Sequence, residues 1–490
     1  MTQLPILIII IPLLFVPIFL LMRARDSLYF ASLFIAIGNL LLTLLLFYNV
    51  YYFGPLLYEL GNWESPIGIR LNADLLSCYF LLLINFISFI CILSGRKLIE
   101  SEVHNENIYL FYISWILCNV GFIGIILTND IFNLFVFLEI SSLSSYFLIS
   151  QGKHKQSMLA ALQYLFVGSI AAVFLLLAIG IIYTHTGTLN MSDISSKIIG
   201  SQISSSVILA ISLFLIGIGI KSAIFPLHGW LIKAYAYSPS IIVTYFSGTS
   251  TKIGIYILIR VFLDIFNSLN PFDYYHLTQF ILTLSIAGVL LSTIYAIKQD
   301  EIRKMLAYSS VAQLSYIIIA IMIMTPDGLS AALVHVFNHS IIKTGLFLII
   351  AVLFVDNHKV CIKDLSGLGG KYPMLMTCFV ILSLGLIGIP LTSGFISKWY
   401  LIHSIINSNY WYISIIVLVT SFMTLFYIWR LFESIYFSKE KISTNSTVDR
   451  SQALGIVLLA ILTLYLGLDA TLTAGVSKDI SINLLGGVTE

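Results

Sequence analysis

The sequence predicts an all-α polytopic membrane protein with about fourteen transmembrane helices. Three observations predict it. The chain has 490 residues, of which 59% are hydrophobic and 10% charged, against about 25% charged in an average soluble domain. Its apolar residues gather into runs of roughly 20, the length that crosses a bilayer. Basic residues collect in alternate loops, as they do on the cytoplasmic side of membrane proteins. A formal net charge of +2 points to neither nucleic acid nor an acidic substrate. Cys78, Cys91, Cys118, Cys361 and Cys378 lack paired spacing, so they read as reduced packing residues.

The first run, residues 4–22, has neither a basic leader nor a small-residue cleavage motif. It reads as a first transmembrane helix rather than a signal peptide. Spans follow at about 28–53, 74–94, 108–127, 129–150, 160–183, 206–237, 240–264, 276–297, 302–324, 329–354, 374–402, 410–436 and 452–474. One set of loops carries Arg23, Arg25, Arg96, Lys97, Lys153, Lys155, Lys233, Lys298, Arg303, Lys304, Lys359, Lys363, Lys371, Arg430, Lys439, Lys441 and Arg450. The opposite set holds only Arg70, Lys197, Arg260 and Lys478. That bias places both termini outside. The stretch Lys439–Arg450 reads as an ordinary polar loop.

Two spans are too long for a simple crossing, and both are interrupted. The seventh contains "GIGIKSAIFPLHGWLIKAY" and the twelfth "GLIGIPLTSGFISKWYL". Proline removes a helix hydrogen bond and glycine loosens the helix, so both are expected to break. They echo one another, "FPLHGWLIKAY" against "IPLTSGFISKWY". If spans four to eight and nine to thirteen form two five-helix units, each interrupted helix is fourth in its unit. An odd helix count inverts the second unit, the pattern of transporters built around midplane sites. The resulting division is 1–107 for helices one to three, 108–264 for the first repeat, 265–436 for the inverted repeat, and 437–490 for helix fourteen and the tail.

Glu139, Lys221, Lys252, Lys343 and Lys398 all lie within spans. A central charge costs about 2.5–3.5 kcal/mol on insertion scales, so such residues face a bundle interior or water and mark ion or proton paths. Glu139 is readable either as half of a titratable pair or as a structural partner for a lysine. Snorkelling, in which a lysine reaches the interface from a helix end, competes mainly at Lys398. His335, His339 and Lys343 recur every four residues and share one helix face. That face suits a proton relay or satisfied packing. No third carboxylate or thiol stands at a spacing that would complete a zinc site. His228, beside the first break, is a further candidate near the membrane edge.

The segments "NDIFNLFVFLEISSLSSYFLI", "GIKSAIFPLHGWLIKAYAYSPSIIVTYFSGTSTKIGIYILIR", "DEIRKMLAYSSVAQLSYI", "ALVHVFNHSIIKTGLFL" and "GIPLTSGFISKWYLI" resemble the antiporter-like proton-translocating subunits. That superfamily is shared by respiratory complex I, membrane-bound hydrogenases and Mrp-type multisubunit Na+/H+ antiporters. The resemblance implies fourteen helices with two inverted five-helix repeats. It also implies that Glu139 pairs with Lys221, that Lys252 connects two half-channels, that His335 and His339 continue the path, and that Lys398 is its terminal site; Lys343 continues the same face. Lysine at the last position, and "YELGNWESPIGIRLNADLLSCYF" before the third span, are similar to the D-type subunit of Mrp antiporters.

The resulting expectation is a proton-translocating subunit of a monovalent cation (Na+)/H+ antiporter. It would work with other membrane subunits in a bacterial plasma membrane, the inner membrane in a Gram-negative cell. The chain has no CxxC cluster and no GxGxxG after a strand, so no cofactor and no redox chemistry are expected in it. Two alternatives stand beside this one. The first is a proton-pumping subunit of a complex I-type or hydrogenase-type oxidoreductase. The second is a structural scaffold whose charges are mere pairs.

Overall fold

The computed structural model describes residues 3–22, 24–198, 205–265, 271–355, 360–438 and 448–485. Arg23, Lys359, Lys439 and Lys441 lie outside the described residues, with most of the polar loop Lys439–Arg450. Among the described residues, twelve helices are long and apolar enough to cross a membrane, and Ser205–Lys221 and Pro373–Ile387 are shorter apolar helices. In chain order the helices begin with α1 Leu4–Leu21, α2 Arg25–Phe53, α3 Leu75–Glu102, α4 Ile108–Leu127, α5 Ile131–Ser150, α6 Lys155–Thr186, α7 Met191–Ile198 and α8 Ser205–Lys221. They continue with α9 Gly229–Tyr237, α10 Ser240–Gly248, α11 Ser250–Ile259, α12 Pro271–Ile297, α13 Ile302–Met322 and α14 Pro326–Leu353. The last are α15 Leu368–Lys371, α16 Pro373–Ile387, α17 Ser393–Ile406, α18 Tyr412–Phe432, α19 Arg450–Leu468 and α20 Val476–Leu485.

The chain divides into two compact units. The first comprises Met1–Ile92, Val103–Ser222 and Thr249–Thr278. Before α3 it carries an antiparallel hairpin, β1 Leu56–Glu59 and β2 Arg70–Ala73, with Leu56 opposite Ala73. Asp74 ends that hairpin and caps α3, accepting from the Ser77 backbone N–H at 2.8 Å. It also holds Arg260 in a two-pronged pair, both bonds 2.6 Å long. Arg260, expected in a loop, is therefore buried; its Nε donates to the Tyr256 hydroxyl, which donates to Ile126 O. Burial opposes the Asp74 charge, but the Arg260 guanidinium and the Ser77 bonds prevail and hold its carboxyl below the usual range.

Helix α5 starts because Asp130 accepts from the Asn133 N–H at 2.7 Å, relieving one orphan donor of its first turn. Its serines do not open the helix. Ser141 and Ser142 both donate to Leu138 O, and Ser145 donates to Ser141 O. Their protons are thus committed to the helix's own carbonyls, and their oxygens remain available as acceptors.

The second unit comprises Leu93–Glu102, Ala223–Gly248 and Gln279–Glu490. Its axis is α14, buried along almost its whole length, with α10, α13, α16, α17 and α19 packed on it. The α16/α17 interruption arises where the sequence predicts it. Pro390 supplies no N–H, and the backbone turns at Gly388 (φ +89°) and Leu391 (φ +73°) before α17 resumes. The other predicted interruption separates α8 from α9 between Lys221 and Gly229. A third, at Thr249, divides the eighth predicted span into α10 and α11. Arg303, expected at a loop, is also buried. It donates to Ser238 O and to the Ser240 hydroxyl, and Glu102 accepts from the Ser240 N–H and hydroxyl.

Candidate functional site

In the first unit the site is built on α5, α6, α8 and α11. Glu139 is half-buried on α5, and its Oε1 is enclosed without a hydrogen-bond partner. Lys221, the last residue of α8, is buried. Its amine donates to the Ser142 hydroxyl at 2.6 Å and to the Tyr146 hydroxyl at 3.5 Å, and lies 5.9 Å from the Tyr146 ring centre. Glu139 lies three residues before Ser142 on the same face of α5, yet the ion pairs among the described residues do not join it to Lys221. Lys252 is 1% exposed on the first turn of α11, just after the Thr249 interruption. A cavity of about 20 Å³ touches Lys221, Ser142, Ser145, Tyr164 and Ser250. That is room for about one water.

In the second unit the predicted face of α14 is fully buried at His335, His339 and Lys343. The His335 and His339 rings stack in parallel with centres 6.1 Å apart, as i and i+4 residues on one face do. His335 Nδ1 meets the Ser397 hydroxyl at 2.8 Å, and its Nε2 meets Gln313 Oε1 at 3.0 Å. Lys343 donates to Leu306 O and to the Ser309 hydroxyl, which also accepts from Tyr427.

Lys398 sits in the first turns of α17, and its amine folds back across the interruption. It donates to Ile387 O at 2.7 Å and Leu386 O at 3.3 Å. These are the last carbonyls of α16, which no helical N–H can satisfy and where the helix dipole is negative. The amine also lies 5.7 Å from the ring centre of Tyr316, which stands edge-on to His335. The lysine aligned with Lys398 in the seventh-span echo, Lys233, is exposed, so the two interrupted helices use their lysines differently. His228 lies half-buried in the α8/α9 interruption, stacked against Phe225.

The structure thus gathers His335, His339, Lys343 and Lys398 in one unit, and Glu139, Lys221 and Lys252 in the other. Sequence reasoning missed the neutral partners Ser142, Tyr146, Ser309, Gln313, Tyr316, Ser397 and Tyr427. A signal existed on α13: Ser309, Gln313 and Tyr316 recur at helical spacing along one face.

A helical membrane bundle with interrupted spans, buried lysines and histidines and a half-buried glutamate defines a class, the antiporter-like membrane subunits. Residues 128–424 match the family described as "NADH:quinone oxidoreductase/Mrp antiporter, TM". The chain belongs to this family. It is 33% identical over 476 residues to the D-type subunit of the Na(+)/H(+) antiporter of Alkalihalophilus pseudofirmus, covering 96% of this chain and 94% of that protein. It is 36% identical over 382 residues to the N-type subunit of the NADH-quinone oxidoreductase of Desulforudis audaxviator, covering 78% and 75% respectively. Its fold superposes on a chain of the membrane-bound sulfane sulfur reductase, an archaeal respiratory membrane complex. The TM-score is 0.90 and the identity 28%, over 99% of this chain and 98% of that one.

Proposed function

We propose that this chain is the D-type subunit of a multisubunit Na+/H+ antiporter and moves protons along Glu139, Lys221, Lys252, His335, His339, Lys343 and Lys398. The observation that carries this reading is the bonding of Lys221 and Lys398, both buried in apolar spans, whose amines donate to neutral oxygens. An intramembrane cation without a counter-ion contact is costly and is retained where its charge is used. The histidine face supports the same reading, because imidazole accepts and releases protons near neutrality. So does the likeness to a D-type antiporter subunit over nearly the whole of both chains.

In this reading the chain works among other membrane subunits, with protons and Na+ as the transported ions. The chain then lies in the plasma membrane of a bacterium with both termini outside, a reading that the bias of the loop charges supports. Residues 108–264 and 265–436 act as the two inverted repeats, with 1–107 before them and 437–490 after. Lys221→Ala in the assembled complex abolishes Na+-driven proton movement in everted vesicles; a wild-type rate in that variant overturns the reading.

The likeness to an N-type oxidoreductase subunit favours a second reading, a proton pump driven by redox partners. Purifying the native complex decides between them. Small membrane subunits without cofactors mark the antiporter, and flavin or iron–sulfur subunits mark the pump.

A further inference from the structure

We propose that Ser142 and Tyr146 form a neutral berth for the Lys221 amine, one helical turn from Glu139, and that the amine alternates between this berth and the carboxylate. The inference rests on the proton-path reading above and names the device by which its first pair opens.

Residues 139, 142 and 146 follow one another at three- and four-residue steps along a single face of α5. Glu139 and Ser142 are separated by about 4.5 Å along the axis, at 1.5 Å per residue. A lysine side chain spans that difference by rotation about its flexible four-carbon stem. The structure holds the amine at the Ser142 end, 2.6 Å from its hydroxyl. Glu139 Oε1 is left enclosed and without a hydrogen-bond partner. A buried acceptor in that state is normally satisfied, and an amine swinging one turn along α5 satisfies it.

The berth is built for a cation. The Ser142 hydroxyl has already given its proton to Leu138 O at 2.7 Å, so its oxygen is fixed as an acceptor facing the amine. The Tyr146 hydroxyl occupies a recess on α6 that exists because residue 168 is glycine; a Cβ there would stand 1.9 Å from that oxygen. Tyr164 braces the Tyr146 ring edge-on, with centres 4.8 Å apart. The cavity bounded by Lys221, Ser142 and Ser250 supplies room for one water beside the amine. Besides Lys221, the titratable groups in the turns around this site are Glu139 and Tyr146 on α5, Tyr164 on α6, Lys252 on α11 and Cys118 on α4, whose thiol meets the Ser145 hydroxyl at 3.4 Å.

The test measures Na+-driven proton movement in everted vesicles containing the assembled complex, with assembly followed by co-purification. Ser142→Ala and Tyr146→Phe each lower the maximal rate about tenfold, the order expected when a hydrogen bond to a charged group is lost. Half-saturating Na+ and assembly stay unchanged. Ser142→Thr, which keeps the hydroxyl, restores the rate. Wild-type rates in Ser142→Ala and Tyr146→Phe, with Glu139→Gln inactive, overturn the berth and leave the proton-path reading standing. Full activity in Glu139→Gln overturns the reading itself. Equal losses in Ser142→Ala and Ser142→Thr show a packing role and also overturn the berth. If Tyr146→Phe fails to assemble, the two Ser142 variants decide alone.

Discussion

At the scale of single residues, the identity of Lys398 is set by three constraints. Its amine caps the carbonyl end of α16, its stem passes Gly388, and its charge faces Tyr316. Arginine keeps the charge but holds its proton permanently and presents a wider, planar head. Lys398→Arg is therefore expected to assemble yet to lose transport, which vesicle assays check directly. Gly388 serves the same lysine. Its φ of +89° disfavours a side chain, and a Cβ there would stand 2.8 Å from Lys398 Cδ. Gly388→Ala is expected to cost about 1–3 kcal/mol of stability through backbone strain and to lower transport by displacing Lys398. Thermal unfolding of the purified complex and the vesicle assay report the two effects separately. Lys398 and Glu139 were legible because a charge in an apolar run violates the composition around it. Ser142 and Tyr146 were not, because neutral polar residues are common in membrane helices and carry no comparable penalty; on α13 only the helical spacing of Ser309, Gln313 and Tyr316 marked a polar face.

At the scale of elements, the interruptions were partly legible. Proline and glycine announce the α8/α9 and α16/α17 interruptions, since each removes or weakens helix hydrogen bonds in a local and readable way. The Thr249 interruption has no proline, and its single flanking glycine resembles many that lie in continuous helices. The hairpin before α3 was illegible too, because its strands are only four residues each. That hairpin joins α3 at the Asp74–Arg260 pair. Arg260 is buried while Asp74 is 25% exposed; removing Asp74 leaves the arginine charge uncompensated, so Asp74→Asn is expected to cost up to about 3 kcal/mol. Because the Asp74 carboxyl is held below its usual range, the pair's contribution is fully present above the unfolded value of about 3.9. It is lost as pH falls through the lower folded value. Thermal melts of the wild type against Asp74→Asn, at neutral and acid pH, should show a gap that closes only in acid.

At the scale of the whole molecule, class and family were legible from composition, span length and ordered motifs. Burial was not, and it reassigns several charges. Arg260 and Arg303 count as loop cations in the sequence, yet both are enclosed and bonded within their own units. The topological bias survives without them, because Arg96, Lys97, Lys153 and Lys155 still stand against Arg70 and Lys197. A cysteine placed at Gln3 is therefore expected to react with a membrane-impermeant maleimide in intact cells; labelling only after lysis reverses the orientation. The central claim, that enclosed ionisable groups carry the protons, is tested most directly by Glu139→Gln. This change removes the charge with almost no change in shape. Na+-driven proton movement in everted vesicles holding normally assembled Glu139→Gln complex should fall at least about tenfold, the scale of a lost charge-bearing group in a proton path. A wild-type rate would contradict the account.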